Sequence, residues 1–219
     1  MVRSLKTGRR RSMTTDKLKT LRVPVEKRAI IVLAAGASMR MGSPKQLLPY
    51  KGKTLLQHVV DTARAAEVSL VVTVLGANAE AILQQSGAGI NPYVVNENWQ
   101  EGMASSIQSG LKKVLELLPG LEAVVFLVGD QPFLSSAVID ELFVLMENTR
   151  APIVACKYGS VVGVPALFHK TTFSALMELK GAEGAKKLIK AEGEKAALLD
   201  FPQGAIDIDT QEDYLRLLK

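Results

Sequence analysis

The chain has 219 residues, of which 47 % are hydrophobic, and a formal net charge of +5. That size and apolar share suit one α/β domain with a buried core, and no apolar stretch approaches the roughly 20 residues a membrane helix needs. The charge is local: residues 1–28 hold ten Lys and Arg against two acids, whereas the rest of the chain holds 17 against 20.

The excess therefore belongs to a basic tail, residues 1–28, read as a solvated, disordered arm with Met13 offering an alternative start inside it. The body, residues 29–219, gives no reason to expect nucleic acid as a partner. The N-terminus carries no apolar h-region of a secretory signal. A lone cysteine, Cys156, excludes an intrachain disulfide and fits a reducing cytoplasm. Its apolar neighbours predict a buried, inert thiol.

The apolar run Ala29 to Ala34 reads as a strand buried on both faces, followed by a Gly/Ser/Pro-rich loop from Gly36 to Pro44. Thr54 then precedes apolar residues at helical spacing, with Gln57 set to complete a capping box. A second strand spans Ser69 to Leu75, a second helix Asn78 to Gln85, and a short strand Tyr93 to Val95. A helix from Ser105 to Leu118 ends at Pro119-Gly120. The strand Ala123 to Val128 runs into Gly129-Asp130, and Ser136 to Glu147 reads as a helix. Beyond residue 150 the rhythm loosens. Strands are expected at 153–155 and 161–168, joined by a turn at Gly159-Ser160, with short helices at 172–179 and 184–191. A last strand is expected at 206–209, before a C-terminal helix capped by Thr210. The alternation predicts a Rossmann-like, mostly parallel sheet with helices on both faces.

Four segments carry candidate chemistry. The loop after the first strand, Leu33-Ala34-Ala35-Gly36 on to Lys45, lies where open α/β sheets bind ligands. Its small residues let backbone N–H groups approach phosphate, and Arg40 and Lys45 supply positive charge. It is neither G-x-G-x-x-G nor a P-loop, which weakens dehydrogenase and P-loop readings. Asp130 in Gly129-Asp130-Gln131-Pro132 is a hard oxygen ligand suited to Mg²⁺, or a cap of the next turn. Alternation in Asp207-Ile208-Asp209 puts two carboxylates on one face; Asp209 either completes a metal site or caps the last helix, where Thr210 competes. The polar stretch Asn96 to Ser106 opens a helix, so Ser105 and Ser106 are either base or ribose contacts or plain capping groups. Trp99 in it reads as a packing residue, and neither His58 nor His169 has a second ligand at metal spacing.

Taken together and in order, L-A-A-G-A-S-x-R-M-G-x-x-K, N-x-x-W-x-x-G-M-x-S-S, a strand ending G-D-Q-P and a late D-I-D-T-x-E-D-Y resemble the molybdenum cofactor nucleotidyltransferases, closest to their cytidylyltransferase branch. The resemblance spans about Ile30 to Leu218. It implies a nucleotide-diphospho-sugar transferase fold and transfer of CMP from CTP to a molybdopterin-type cofactor, with pyrophosphate released. By that likeness Leu33, Ala34, Ala35, Gly36, Lys45, Ser105 and Ser106 bind the nucleotide. Arg40, Lys45 and Asp130 are catalytic, and Asp130 and Asp209 hold Mg²⁺. Ala35 bears on base choice, because guanylyl-transferring relatives read L-A-G-G there. The acceptor side would be about 150–205, with a molybdenum hydroxylase as the eventual recipient. Two segments depart from the family's pattern: Gly163-Val164-Pro165, and Leu179 to Lys186 with Ala182 and Lys186 in place of Asp and Arg. They leave room for a non-catalytic carrier of the cofactor. Guanylyl or sugar-phosphate transfer on the same fold is a further alternative.

Overall fold

The computed structural model describes residues 22–38 and 41–218. In chain order its elements begin with β1 (Arg28–Ala34), the small hairpin β2 (Pro49–Tyr50) and β3 (Lys53–Thr54), α1 (Leu55–Arg64), β4 (Leu70–Leu75), α2 (Ala79–Ser86), β5 (Tyr93–Val95) and α3 (Met103–Leu117). They continue with β6 (Ala123–Val128), α4 (Ser136–Thr149), β7 (Ile153–Tyr158), β8 (Val161–His169), α5 (Phe173–Met177), α6 (Ala185–Glu192), β9 (Ala197–Asp200) and α7 (Gln211–Leu217).

Seven strands form one sheet in the order β5-β4-β1-β6-β8-β7-β9. All point the same way except β8, which is antiparallel to β6 and β7. β1 lies at the centre of the parallel half, between β4 and β6, and every residue of it is buried. Its side chains alternate between two cores, as a strand covered on both faces must. Ile30, Val32 and Ala34 join Leu56, Val59 and Val60 of α1 and Leu142, Phe143 and Met146 of α4. Ala29, Ile31 and Leu33 join Ile107, Leu111 and Val114 of α3 and Ile189 of α6. α3 rests directly on the sheet through Gly110: a Cβ there would come within 2.7 Å of Ile31 Cγ2 and 2.8 Å of Val74 Cγ2.

Local chemistry sets the helix starts. Thr54 and Gln57 close a capping box on α1, and Thr210 and Asp213 close one on α7. Each such cap is worth about 1 kcal/mol. Thr210, and not Asp209, therefore caps the last helix, which leaves Asp209 to point elsewhere.

Three expectations need correction. Residues 206–209 form no strand. Their alternation comes from Ile208, fully buried against Tyr50 and Leu55 while Asp207 and Asp209 flank it. The β2–β3 hairpin and the strand β9 were not expected. The tail boundary at 28 also falls inside the body. Val23 is buried, and Arg28 donates from Nε to Val23 O at 2.8 Å and from Nη2 to Glu147 at 3.0 Å, with its guanidinium 4.5 Å over the Phe143 ring. The rest of the expected arm, residues 1–21, lies outside the described residues. Among the described residues no helix is long and apolar enough to cross a membrane.

Cys156 is buried in the sheet, and burial, with Glu141 adding to it, pushes its thiol up to about 12. A thiol that stays protonated is a poor nucleophile. A chromogenic disulfide reagent should therefore leave the native protein unlabelled and titrate one thiol after denaturation. Rapid labelling of the native protein would contradict this packing.

Candidate active site

β1 and β6 lie side by side with Leu33 opposite Val128, so both release their chains at one edge of the sheet. The turn after β6 is held against that edge: Gly129 N donates to Leu33 O at 3.1 Å, and a Cβ at Gly129 would lie 3.1 Å from Leu56 Cδ1. The loop after β1 is pinned by a residue that the sequence did not single out. Gln46 is buried, and its Nε2 donates to Ala34 O at 3.1 Å and Gly36 O at 3.0 Å. Ser38, in the left-handed region at φ 52°, donates from Oγ to Gln46 Oε1 and accepts from Lys45 N. These bonds turn the short helical turn Lys45–Leu47 back over the loop. Gly76 is the second such residue. A Cβ there would lie 2.7 Å from Ala35 O and 2.9 Å from Trp99 Cβ, so only glycine lets these segments close together.

Lys45 Nζ donates to both Asp130 and Asp209, the latter at 3.1 Å. The triad is partly buried, with the Lys45 side chain 19 % exposed and that of Asp130 13 %. Burial pulls the Lys45 ammonium down, but the charges and hydrogen bonds of Asp130 and Asp209 outweigh it and hold it above the ordinary lysine value of 10.5. The stability this linkage contributes is complete below 10.5 and fades only as pH rises through the higher folded value. The Asp207 carboxyl is pushed up by partial desolvation and by the charges of Asp130 and Asp209, with Lys45 and Gln131 opposing. The other Asp130 oxygen, Oδ1, is buried without a hydrogen-bond partner. An orphaned carboxylate oxygen beside a second carboxylate fits a divalent cation that takes its remaining ligands from phosphate and water. Among the described residues no cluster of three or more His, Cys, Asp or Glu forms an all-protein cage.

A cavity of about 230 Å³ opens beside this triad. Leu33, Ala34, Ala35 and Gly36 line one wall, and Lys45, Gln46 and Asp130 border it. Trp99, Gly102, Met103 and Ser106 line the cavity as well. Trp99 therefore faces the cavity as well as packing. Ser106 lines the cavity but Ser105 does not. The Ser105 hydroxyl sits 2.8 Å from Gly102 O and 2.9 Å from Asn98 O, and Asn96 Nδ2 donates to both serines. Its geometry is that of a brace for the start of α3. Asp209 reaches the site through Lys45, whereas Arg40 lies outside the described residues. His58 does not touch the cavity; it contacts Pro132 O at 3.2 Å and the Tyr50 ring edge-on.

The two segments that depart from the expected pattern do not line the cavity but pack beside residues next to it, the first against Gln131 and the second against Gly102. Gly102 fits so tightly against the second that its Cβ would lie 2.4 Å from Gly181 O, and Ala104 N donates to that carbonyl at 3.1 Å. Gly163 faces the Lys186 stem, where a Cβ would come within 3.0 Å of Cε.

The Gln46 amide predicts its own test. Gln46→Leu removes the amide donor to Ala34 O and leaves Gly36 O only the long 3.5 Å bond from Asn78 Nδ2, and should cost about 1–3 kcal/mol in urea unfolding. The same variant should bind nucleoside triphosphate more weakly. Unchanged stability together with unchanged binding would contradict its role in holding the loop.

Residues 30–196 match the MobA-like NTP transferase domain family. The chain is 33 % identical to nicotine blue oxidoreductase of Paenarthrobacter nicotinovorans, over 86 % of this chain and 95 % of the relative. It is 31 % identical to the purine catabolism protein PucB of Bacillus subtilis, over 84 % and 92 %. Its structure is similar to that of Rv0371c from Mycobacterium tuberculosis, with a TM-score of 0.75 at 33 % identity over 89 % of this chain and 98 % of that one. A manganese complex of Rv0371c is similar at a TM-score of 0.72 and 31 % identity, over 88 % and 98 %. With the family match running from β1 to the start of β9 across the whole cavity, the chain belongs to the MobA-like NTP transferase family and is a nucleotidyltransferase.

Proposed function

We propose that this chain transfers CMP from CTP to a molybdopterin-type molybdenum cofactor and releases pyrophosphate. The observation that carries the reading is Lys45 paired to Asp130 and Asp209 at the mouth of a cavity walled by Leu33-Ala34-Ala35-Gly36. Asp130 and Asp209 are the metal carboxylates, with Mg²⁺ as the working ion. The orphaned Asp130 Oδ1 and the manganese complex of Rv0371c support a divalent cation there. When bound, such a cation neutralises charge on the α-phosphate and on the leaving pyrophosphate.

The residues of the chain do the rest. The small side chains of the first loop admit the triphosphate, with Gly36 allowing close backbone approach. Lys45 exchanges its carboxylate partners for phosphate oxygens and stabilises the charge that builds as the acceptor's terminal phosphate oxygen attacks the α-phosphorus. The new oxygen–phosphorus bond forms in line with the one that breaks, and pyrophosphate carries away the electron pair. No general base is needed, because a phosphate monoester is already ionised near neutral pH. Arg40 adds charge on the same loop. Ser106 reads the nucleotide from the cavity, and Ser105 holds the helix start on which Ser106 sits. Ala35, which lines the cavity and is backed by Gly76, matches the L-A-A-G of the cytidylyl branch and so supports CTP as the donor.

The oxidoreductase name of one relative has no counterpart in the first loop, which carries no G-x-G-x-x-G fingerprint. The molybdopterin acceptor is supported by the N-x-x-W-x-x-G-M-x-S-S segment and by the family match. A purely carrying role would need no paired carboxylates beside a lysine.

Asp130→Asn and Lys45→Met should each lower kcat for pyrophosphate release by about 10²- to 10³-fold; Asp130→Asn should change the unfolding midpoint little, whereas Lys45→Met, which leaves Asp130 and Asp209 without their shared cation, should lower it. Near-normal turnover of folded Asp130→Asn would remove the metal assignment.

A further inference from the structure

Beside Asp130 stands a buried side chain with no part in the chemistry above. Gln131 is 3 % exposed. Its Nε2 donates to Val164 O and to Gly204 O, each at 3.2 Å. The two carbonyls belong to different segments. Val164 lies in β8. Gly204 lies in the short helical turn Pro202–Ala205, which leads directly into Asp207 and Asp209. One amide thus clamps the loop of the first carboxylate to the segment that delivers the second.

The chemistry of the position explains the residue. Both carbonyls need a donor, and the carboxamide is a neutral group with two N–H bonds on one nitrogen. A glutamate would place another anion near Asp130 and Asp207. The remaining oxygen, Oε1, is buried without a partner. The amide is therefore oriented by what it donates to, and its acceptor goes unused. The Gly204 end is backed by rings: a Cβ there would lie 2.6 Å from Phe201 Cδ1 and 2.9 Å from Tyr158 Cδ1. Four residues on, Ile208 is locked under Tyr50 and Leu55. The stretch into Asp209 is consequently fixed at both ends, and Gln131 holds the end that faces Asp130.

We propose that Gln131 is a positioning residue that sets the separation of Asp130 from Asp209, and through it the grip of the pair on a divalent cation. This rests on the reading of those two aspartates as the metal carboxylates. The test is Mn²⁺ binding to the full chain with CTP and no acceptor, read by electron paramagnetic resonance, for the wild type and Gln131→Met. The methionine keeps the volume and removes both bonds to the carbonyls, together with the amide's interaction with Asp207. The expected result is an Mn²⁺ dissociation constant raised about tenfold or more, with metal-free CTP affinity within about twofold of wild type. Equal Mn²⁺ affinity in folded Gln131→Met and wild type overturns the proposal, even if the variant unfolds at lower temperature. Should Gln131→Met not fold, Gly204→Ala displaces the other end of the clamp and is read by the same criterion. A wild type that binds no Mn²⁺ in the presence of CTP overturns the metal reading together with this one.

Discussion

The site depends on one ion triad, Lys45 with Asp130 and Asp209, whose members stand 85 and 164 residues apart along the chain. Two carboxylates brought together under partial burial repel each other and lose hydration, so they need a cation between them. Lys45 supplies it, and the pair in turn keeps that ammonium charged well beyond neutral pH. The arrangement suits a site that must hold its shape before a triphosphate arrives. On the proposed reading, the same lysine then serves phosphate, and the carboxylates serve a metal.

The rest of the fold can be understood as the means of bringing those three residues to one edge. Parallel pairing of β1 and β6 aligns the loops that carry Lys45 and Asp130. Glycines at 76, 102 and 129 allow backbones to approach where a Cβ would collide or crowd. The reversed strand β8 returns the chain past the end of β6, so Val164 meets the Asp130 turn. The C-terminal stretch then crosses back and seats Ile208 under the hairpin, which delivers Asp209 to Lys45.

Much of this was legible in the sequence where the signal was local. The continuous apolar runs of β1 and β6 announce strands covered on both faces, and Thr54 with Gln57 announces the start of α1. That the loop 33–36, Lys45 and Asp130 would come together was legible because strands of such a sheet release their loops at one end. What was missed depends on distant partners. Gln46 and Gly76 matter only because of backbone atoms that chain folding brings to them. Strand β9 is four residues at a sheet edge with a mixed pattern, too short to stand out. Residues 206–209 were misread because one buried isoleucine between two aspartates imitates strand alternation without any strand pairing. Ser105 was placed with Ser106 because both follow the same motif. Their one-residue offset on a helix sends only Ser106 to the cavity.

The central claim is nucleotidyl transfer to a molybdopterin-type acceptor. Its most direct measurement is pyrophosphate release from CTP and from GTP, with Mg²⁺ and purified molybdenum cofactor, and with the acceptor omitted as the control. The account predicts release from CTP that requires the acceptor and exceeds release from GTP. Absence of acceptor-dependent release from either nucleotide, by folded protein, would contradict it.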